Sequence, residues 1–518
     1  MKIPFVEPGT VGPCPVAPDA LQGIVRQQTN PARWAGEGWS AFVADLRAAG
    51  VEVAESTAVR GIFATDAGGT AYGMPHGVVV ARSTPQVAAL LKAAQIHKVP
   101  VTARGGGLTT EGESVAYGGV LLDMTGMSRV LKIDHEALTV RTEAGIYWHG
   151  LAEELRRDGL DYLSAPLNMT SSVGGTLGVG GIDVNSARLG CSADQALALE
   201  VVTPTGEIVE CSDELNPELF RRVILGYGQF GVITEATLKI RPYTPLSMHY
   251  YYYSTLREAI EDLQMLDRND ASDYSGILTI MDCAVNLLVA FDTAEREGAF
   301  KASWERKLRG HGEFGFALCM LGHYARRPWR LGEALYLLKR KQAVFPEFRR
   351  PEFHRDGRMD DRTVVFSRAV WKHWGSRNMV IPDLATTADT FVEAVERGNA
   401  VCRKYFRHYT LYCVGIKLRP EHRPHYEMSC VPPDAEGWAY GCEFEPMIEG
   451  EVYSRDHFQS FKNAIYDIGV ELGASYYRFG GMMKGYIRRV FGDALVDKHL
   501  AMKRRADPAM ILNRDVIF

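Results

Sequence analysis

The fold is decided by the stretch Arg104-Gly105-Gly106-Gly107-Leu108-Thr109-Thr110-Glu111-Gly112, a glycine-rich run that follows the strand-like residues 99–103. Glycine permits positive φ angles, and a backbone almost bare of side chains lets successive N–H groups point into one concavity that binds pyrophosphate. The spacing differs from the Gly-x-Gly-x-x-Gly of a dinucleotide-binding Rossmann turn, and residues 115–123 again indicate a strand rather than a helix. By itself the run fits either a phosphate-binding loop or a tight turn between two strands.

Two further glycine-rich segments favour the phosphate-binding interpretation. They are Ser171-Ser172-Val173-Gly174-Gly175-Thr176-Leu177-Gly178-Val179-Gly180-Gly181 and Gly226-Tyr227-Gly228-Gln229-Phe230-Gly231-Val232-Ile233-Thr234. Together with residues 75–80 and the closing Asp507-Pro508-x-x-Ile511-Leu512-Asn513, these segments resemble the FAD-binding domain of the vanillyl-alcohol oxidase/p-cresol methylhydroxylase superfamily. The nearest likeness is to cytokinin dehydrogenases, and it covers roughly residues 70–245 and 470–518.

The resemblance implies an α+β fold, with a two-subdomain PCMH-type FAD-binding domain and a substrate cap domain of antiparallel sheet and helices. The expected segments are an N-terminal arm (1–70), the FAD-binding domain (71–245), the cap (246–460) and a C-terminal segment returning to the FAD domain (461–518). Length alone also predicts two domains, because a single core stops growing beyond about 250–300 residues.

The spacing of apolar residues predicts individual elements along the chain. Helices are expected at 39–49, 85–97, 149–158, 256–266 and 458–472. Strands are expected at 250–253, 277–280, 287–291, 412–418 and 441–444. Residues 340–362, rich in Arg, Pro and Phe, are expected to be irregular.

Composition excludes several classes of protein. With 46% hydrophobic and 23% charged residues the chain is typical of a soluble globular enzyme, and a net charge of −5 provides no basic field for nucleic acid. The nine cysteines never form a Cys-x-x-Cys pair, so we expect reduced thiols and no metal site. No apolar run reaches the roughly 20 residues of a membrane span, and the N-terminus lacks a signal core. We therefore expect a cytoplasmic protein without a membrane or nucleic-acid partner, and a homodimer is one option for its assembly.

The resemblance implies FAD as the cofactor. Residues 105–110 resemble the pyrophosphate loop of the family, and residues 171–177 resemble the segment that passes beside the ring system. The predicted cofactor-binding residues are Arg104, Gly105, Gly106, Gly107, Leu108, Thr109, Thr110, Ser171, Ser172, Gly174, Gly175, Thr176, Leu177, Gly231, Val232, Ile233 and Asn513.

Two positions depart from the family pattern. Leu108 stands where cytokinin dehydrogenases have the histidine that is covalently joined to the flavin, and leucine has no nucleophilic atom. We therefore expect FAD to be bound non-covalently, although a link from a cap-domain His or Tyr stays open. Leu167 stands where an aspartate acts on the substrate in the same relatives, and the adjacent Asn168 is a poor base.

Catalytic candidates come from the tail and from the cap. Tyr477 and Arg478 lie about where vanillyl-alcohol oxidase relatives place a Tyr-Arg pair, and an adjacent guanidinium favours the phenolate form of a tyrosine. The alternative is a buried structural tyrosine with Arg478 in a salt bridge. In the cap, His373 and Glu443 are the next candidates, and Glu445 shares a strand face with Glu443.

The expected function is that of an FAD-dependent oxidoreductase, an oxidase or a dehydrogenase. Such an enzyme removes a hydride from a C–H bond next to a hydroxyl or amine of a small phenolic, alcohol, amine or sugar-like substrate, and passes electrons to oxygen or another acceptor. Two alternatives stay open: a reductase of the same fold with a nicotinamide donor, and a non-redox flavin-binding protein. The second is suggested by the joint loss of the histidine and the aspartate.

Overall fold

The structure is a computed structural model that describes residues 34–69, 71–166, 168–182, 186–243, 246–253, 257, 260, 261, 264, 274–281, 315–323, 380–406, 409–417, 438–446, 455–476, 486–514 and 516. Its helices are α1 (Trp39–Ala48), α2 (Thr57–Ile62), α3 (Thr84–His97), α4 (Trp148–Arg157), α5 (Val173–Val179), α6 (Ser186–Leu189), α7 (Pro217–Val223), α8 (Ala388–Tyr405), α9 (Arg455–Leu472), α10 (Ile487–Phe491) and α11 (Asp493–Ala506), with a 3₁₀ turn at Ser192–Gln195. Its strands are β1 (Gly77–Val80), β2 (Val101–Arg104), β3 (Val120–Asp123), β4 (Val130–Asp134), β5 (Thr139–Glu143), β6 (Leu160–Tyr162), β7 (Ala196–Val202), β8 (Ile208–Ser212), β9 (Val232–Pro242), β10 (Leu246–Tyr253), β11 (Tyr274–Met281), β12 (Gly315–His323), β13 (Asp383–Thr386), β14 (Tyr409–Lys417) and β15 (Trp438–Pro446).

The first sheet is small and parallel, in the order β1-β3-β2. Parallel neighbours need a crossover connection, and α3 runs between β1 and β2 in the chain. This helix carries a proline in its first turn and ends at Lys98 in the left-handed conformation (φ 53°). Helix α1 packs against α3 and buries Phe42 and Leu46 in the same core.

One predicted strand is shorter than expected. The sequence indicates a strand over residues 115–123, but β3 begins at Val120. Gly118 and Gly119 have φ angles of 95° and 66°, which a β ladder does not accept. A Cβ at Gly119 would overlap the carbonyl oxygen of Pro100, so the chain makes a tight approach there instead of pairing.

The second sheet is antiparallel, in the order β4-β5-β9-β7-β8, with β6 paired to β9. Helix α4 closes one side because Trp148, Leu151, Ala152 and Leu155 recur at helical spacing and are all buried. Helix α5 belongs to the same core through Val173 and Leu177. These two sheets and their helices contain the three glycine-rich segments.

The third sheet is antiparallel, in the order β10-β12-β11-β14-β15-β13. Helices α8 and α9 pack on one another, and both contact strands of this sheet. Their shared core includes Phe391, Phe444 and Phe461, each fully buried. With the first two sheets this arrangement confirms the α+β fold class.

Most predicted elements that fall on described residues are found. The predicted helices at 39–49, 85–97, 149–158 and 458–472 match α1, α3, α4 and α9. The predicted strands at 250–253, 277–280 and 441–444 lie within β10, β11 and β15. The predicted strand at 412–418 matches β14, which ends one residue earlier at Lys417. Residues 257, 260, 261 and 264 of the expected helix at 256–266 are described and helical. The stretches 287–291 and 340–362 lie outside the described residues. The boundaries predicted for the N-terminal arm, the FAD-binding domain, the cap and the C-terminal segment stay a prediction.

The segment after α11 joins the first sheet beside β2. The Val101 N–H donates to the carbonyl oxygen of Ile511 (2.9 Å), and the Asn513 N–H donates to that of Val101 (2.9 Å). The Asp507 carboxylate holds this turn by accepting from the N–H groups of Ile511 (3.1 Å) and Leu512 (2.8 Å). The Asp-Pro motif of the sequence is therefore a structural anchor.

A fully buried ion pair supports that anchor. The Lys503 ammonium donates to Asp507 (2.7 Å) and to the carbonyl oxygens of Gln229 (2.6 Å) and Leu512 (2.7 Å). Burial lowers the pKa of Lys503 to about 8, against the opposing influence of Asp507. The pair links α11 to the turn before β9, at Gln229, and to the segment beside β2, at Leu512.

Two further observations concern the protein's class. The cysteines that the structure describes, residues 191, 211, 402, 413 and 442, are buried thiols that form no disulfide with one another. Among the helices of the described residues, none is both long enough and apolar enough to cross a membrane.

Candidate functional site

A cavity of about 280 Å³ lies where the loop after β2, helix α5, the turn before β9 and strand β15 come together. Its wall contains every predicted cofactor-binding residue except Thr110 and Leu177, which are fully buried. Glu443, a predicted catalytic residue, also lines this cavity. Residues from the glycine segments, the tail and the third sheet thus share one site.

The loop after β2 offers backbone donors to the cavity. The N–H groups of residues 105–108 have no acceptor among the residues that the structure describes. The carbonyl oxygens of Gly107 and Thr109 are held from the other side by the N–H groups of Ala67 (2.9 Å) and Gly68 (3.1 Å). Gly107 has a φ of 68°, the conformation that glycine adopts without strain. An anchored loop with successive open N–H groups is a concavity suited to an anion.

Helix α5 contributes a bare surface rather than donors. Its first N–H groups are already used, since Val173 donates to Ile146 (2.9 Å), Gly174 donates to Ala144 (2.7 Å), and Gly175 donates to the Ser172 hydroxyl (3.3 Å). The face towards the cavity includes Gly175 and Gly178. A Cβ at Gly178 would meet no atom within 4 Å.

The hydroxyl groups next to α5 are engaged within the protein. Thr176 accepts from the indole N–H of Trp148 (2.9 Å), and the Ser171 hydroxyl donates to the carbonyl oxygen of Asn168 (2.7 Å). These bonds fix the position of the helix against α4 and the preceding loop.

Asn513 joins the two glycine loops at the far wall. Its side-chain oxygen accepts from the Ala103 N–H (2.9 Å), and its amide group donates to the carbonyl oxygen of Tyr227 (3.0 Å). A Cβ at Gly228 would overlap this amide, and Gly228 has a φ of 67°. The third glycine segment is therefore bare because the tail packs on it.

Three buried carboxyl groups lie beside the β2 loop, and the sequence reasoning missed their role. Asp66 accepts from the Thr109 hydroxyl (2.8 Å) and the Gly112 N–H (2.7 Å), yet burial raises its pKa to about 6. Glu111 is buried and forms an ion pair with Lys462 of α9, which is fully buried. The signal in the sequence was the occurrence of two acids, Glu111 and Glu113, inside a loop expected to receive phosphate.

Glu113 is the member of this group that lines the cavity. Its carboxyl group accepts from the Glu111 N–H (3.0 Å). Burial, and then the negative charges of Glu111 and Asp66, raise the pKa of Glu113 to about 8. This carboxyl group therefore holds its proton at neutral pH.

The end of the cavity towards the third sheet is acidic. Glu443 and Glu445 on β15 both line it, as expected for residues two apart on one strand face. Glu443 lies opposite Asp383 of β13 and Tyr412 of β14 in the sheet register. Among the described residues of the wall, Arg104 is the basic side chain, and it lies at the loop end.

Arg104 is held within the FAD-domain side of the site. Its guanidinium donates to the carbonyl oxygen of Thr65 (2.8 Å) and lies 5.6 Å from the Phe63 ring centre. Burial lowers the pKa of Arg104, and Asp66 and Asp123 oppose that change.

Several residues singled out in the sequence are not among those that the structure describes. Tyr477, Arg478 and His373 lie outside the described residues, and so does Leu167. Leu108 is in the cavity wall. The catalytic roles suggested for Tyr477, Arg478, His373 and Glu443 stay predictions.

Residues 75–212 match the family model of the FAD binding domain. This chain carries an FAD-binding domain. The match confirms FAD as the cofactor, and the glycine loops with their open N–H groups and bare helix face fit such a ligand.

Curated relatives of the FAD-binding domain are dehydrogenases and oxidases. D-lactate dehydrogenase of Anaerostipes hadrus is 33% identical over 174 residues, which are 32% of this chain and 37% of that protein. Cytokinin dehydrogenase 2 of Arabidopsis thaliana is 36% identical over 166 residues, 32% of this chain and 33% of that protein. Glycolate oxidase subunit GlcD of Bacillus subtilis (strain 168) is 28% identical over 195 residues, 36% of this chain and 42% of that protein. The matched part thus spans between about a third and two fifths of each relative's length.

A solved structure shares the fold over most of the chain. Alkyldihydroxyacetonephosphate synthase superposes with a TM-score of 0.65 and 17% identity, over 94% of this chain and 85% of that one. The likeness therefore extends beyond the FAD-binding domain into the region of the third sheet.

Proposed function

We propose that this protein is an FAD-dependent oxidoreductase that oxidises a C–H bond next to a hydroxyl or amine of a small organic substrate. When bound, FAD supplies the acceptor for the hydride. The observation that carries the proposal is the cavity in which the glycine segments of the FAD-binding domain meet Glu443 and Glu445 of the third sheet. Relatives named as dehydrogenases and oxidases support the same reaction class.

The two ends of the cavity have different tasks in this proposal. The open N–H groups of residues 105–108 bind the diphosphate, because they are donors without a protein acceptor in the described residues. The bare face of α5 at Gly175 and Gly178 lies against the ring system, because a planar group needs a wall without side chains. Asn513 keeps both glycine loops in place.

The acidic end binds the substrate. A carboxylate accepts hydrogen bonds from a hydroxyl or an ammonium group, and a base within reach of the heteroatom removes its proton during oxidation. Glu443, on the cavity face of β15, is the described residue best placed for that role, and Glu445 orients the substrate. Two acids at this end disfavour a substrate carboxylate, so we propose an alcohol or amine rather than a 2-hydroxy acid.

An anaerobic test of flavin reduction distinguishes these substrates. D-lactate, 1,2-propanediol and 1-amino-2-propanol share the group CH3–CH(OH) and differ in the substituent beside it, which is anionic, neutral or cationic. A broader panel of alcohols, amines, phenols and sugars is tested with them. We expect neutral or cationic compounds to bleach the oxidised flavin and D-lactate to fail. Bleaching by D-lactate alone would contradict the proposed substrate class.

Substitution of Glu443 tests whether this residue removes the substrate proton. Glu443→Gln keeps the size of the side chain but cannot accept a proton, so flavin reduction should slow by about 10²–10⁴-fold while FAD content is retained. The matched control is Glu207→Gln, an exposed acid in the turn between β7 and β8. An unchanged rate in Glu443→Gln would remove this residue from the mechanism.

The same experiment separates the alternatives and the acceptor. Bleaching by a reduced nicotinamide, with no response to any alcohol or amine, would identify a reductase, and no bleaching by any compound would identify a non-redox flavin-binding protein. Readmission of oxygen to the bleached protein then distinguishes an oxidase, which reoxidises rapidly, from a dehydrogenase.

A further inference from the structure

The charges around the β2 loop do not suit a diphosphate if every group ionises. Asp66, Glu111 and Glu113 lie in or against the loop whose N–H groups the proposed function gives to the diphosphate, and Asp123 at the end of β3 is close enough to act on Arg104. Among the described residues, the cations that act on this group of acids are Arg104 and Lys462. With these six groups ionised, the surroundings carry two excess negative charges. A buried site of that sign repels a dianion, because the interaction of charges is strong away from water.

Of the three carboxyl groups in or against the loop, those of Glu111 and Asp66 each interact with a cation. Glu111 is paired with the Lys462 ammonium, and the Tyr466 hydroxyl of the same helix donates to it (3.4 Å). Burial raises the pKa of Asp66 to about 6, and the bonds from the Gly112 N–H and the Thr109 hydroxyl, with the charge of Arg104, oppose that rise.

Glu113 has different surroundings. It is 8% exposed, and the charged groups with the largest effect on its pKa are the acids Glu111 and Asp66. From α9, the Tyr466 phenol also interacts with Glu113: burial first, then Glu111 and, with a smaller effect, Glu113 raise the pKa of Tyr466. Burial and two like charges keep the Glu113 carboxyl group protonated, and a protonated carboxyl group has an O–H donor.

We propose that Glu113 binds the diphosphate of FAD as a neutral carboxylic acid, which donates a hydrogen bond where an ionised carboxylate would repel the ligand. The inference depends on the placement of the diphosphate at residues 105–108 in the proposed function. It rests on the position of Glu113 in the cavity wall, on the loop that carries the open N–H groups.

The proposal has a definite consequence for pH. The free protein loses the Glu113 proton as the pH rises through about 8, whereas the FAD complex must keep it. By linkage, the Kd for FAD rises about tenfold per pH unit above that point, until the carboxyl group of the complex ionises as well. At pH values below about 8, the Glu113 carboxyl group is protonated in both states and does not make the Kd depend on pH.

The test measures the Kd of the full chain for FAD by flavin fluorescence, from about pH 6.5 to about pH 9, with no substrate present. Glu113→Gln keeps a donor and cannot ionise, so its Kd should match wild type near pH 7 and stay level as the pH rises. Glu113→Ala removes the donor, and its Kd should be about tenfold weaker and equally level. The exposed control Glu207→Gln should follow the wild-type profile.

A wild-type Kd that stays constant up to pH 9 would overturn the proposal, and this result needs no variant to fold. If the Kd of Glu113→Gln for FAD rises with pH as steeply as that of wild type, the proposal is also overturned, because a group other than Glu113 would then be titrating. The readout is binding alone, so the result stands even if no compound reduces the flavin and the proposed oxidoreductase activity fails.

Discussion

Gly178→Ala should make the protein without cofactor more stable and its FAD complex weaker. Gly178 is the sixth of seven residues in α5, and a Cβ there would meet no heavy atom within 4 Å. Replacing a helical glycine by alanine stabilises a helix by about 0.5–1 kcal/mol, because glycine loses more backbone freedom on folding. The free energy of unfolding of the apoprotein should rise by that amount.

The same methyl group should oppose FAD. If the ring system lies against α5, the methyl occupies space in a filled cavity, and overpacking of this kind costs about 1–3 kcal/mol. That energy corresponds to an increase in Kd of about 5- to 150-fold. Urea unfolding followed by circular dichroism gives the first quantity, and flavin fluorescence gives the second.

A matched control is available in α2. Gly61 is also helical and is exposed, and a Cβ there would likewise meet nothing within 4 Å. Gly61→Ala should give a similar stabilisation and an unchanged Kd. Gly178→Ala with wild-type affinity would refute the placement of the ring on α5. Gly106 and Gly175 are poorer probes, because a Cβ would lie 2.7 Å from the Thr170 carbonyl oxygen or 2.9 Å from the Ser172 hydroxyl.

Three further outcomes are expected. Acid precipitation should release free FAD into the supernatant because Leu108 cannot form a covalent link, and colour retained in the pellet would show a bond to another residue. Asp507→Asn should lower the free energy of unfolding by about 3–5 kcal/mol, because it leaves the fully buried Lys503 ammonium without its anion; an unchanged urea midpoint would contradict this. Tyr477→Phe should keep FAD and slow flavin reduction by about 10²–10⁴-fold if its hydroxyl moves the substrate proton, and unchanged reduction kinetics would leave Glu443 and His373 as the candidates.

The spacing of apolar residues along the sequence predicted those helices whose formation depends mainly on neighbouring residues. Helices α3 and α4 could be placed because their apolar residues recur at helical spacing. The cavity could be anticipated because bare backbone at three segments has few uses other than close approach of a ligand or another chain segment. Gly228 turned out to serve the second use, through Asn513.

Other features depend on contacts between distant residues, which the sequence does not display. The elevated pKa of Glu113 arises from burial, from Glu111 and from Asp66, which lies 47 positions earlier in the chain, and the local sequence shows neither the burial nor the approach of Asp66. Alternation on β15 predicts that Glu443 and Glu445 share a face, but only the packing of the third sheet on the FAD-binding domain directs that face to the cavity. The early end of β3 likewise depends on the approach to Pro100.

The bond between the Ala103 N–H and the Asn513 side chain joins residues 410 positions apart. On the ribosome the β2 loop emerges early, while the residue that fixes its end is made some four hundred codons later. FAD capture should therefore follow synthesis of residue 513 rather than accompany it. A message cut short before that codon would yield a chain that has the glycine loop but not its clamp, and such a product should be colourless.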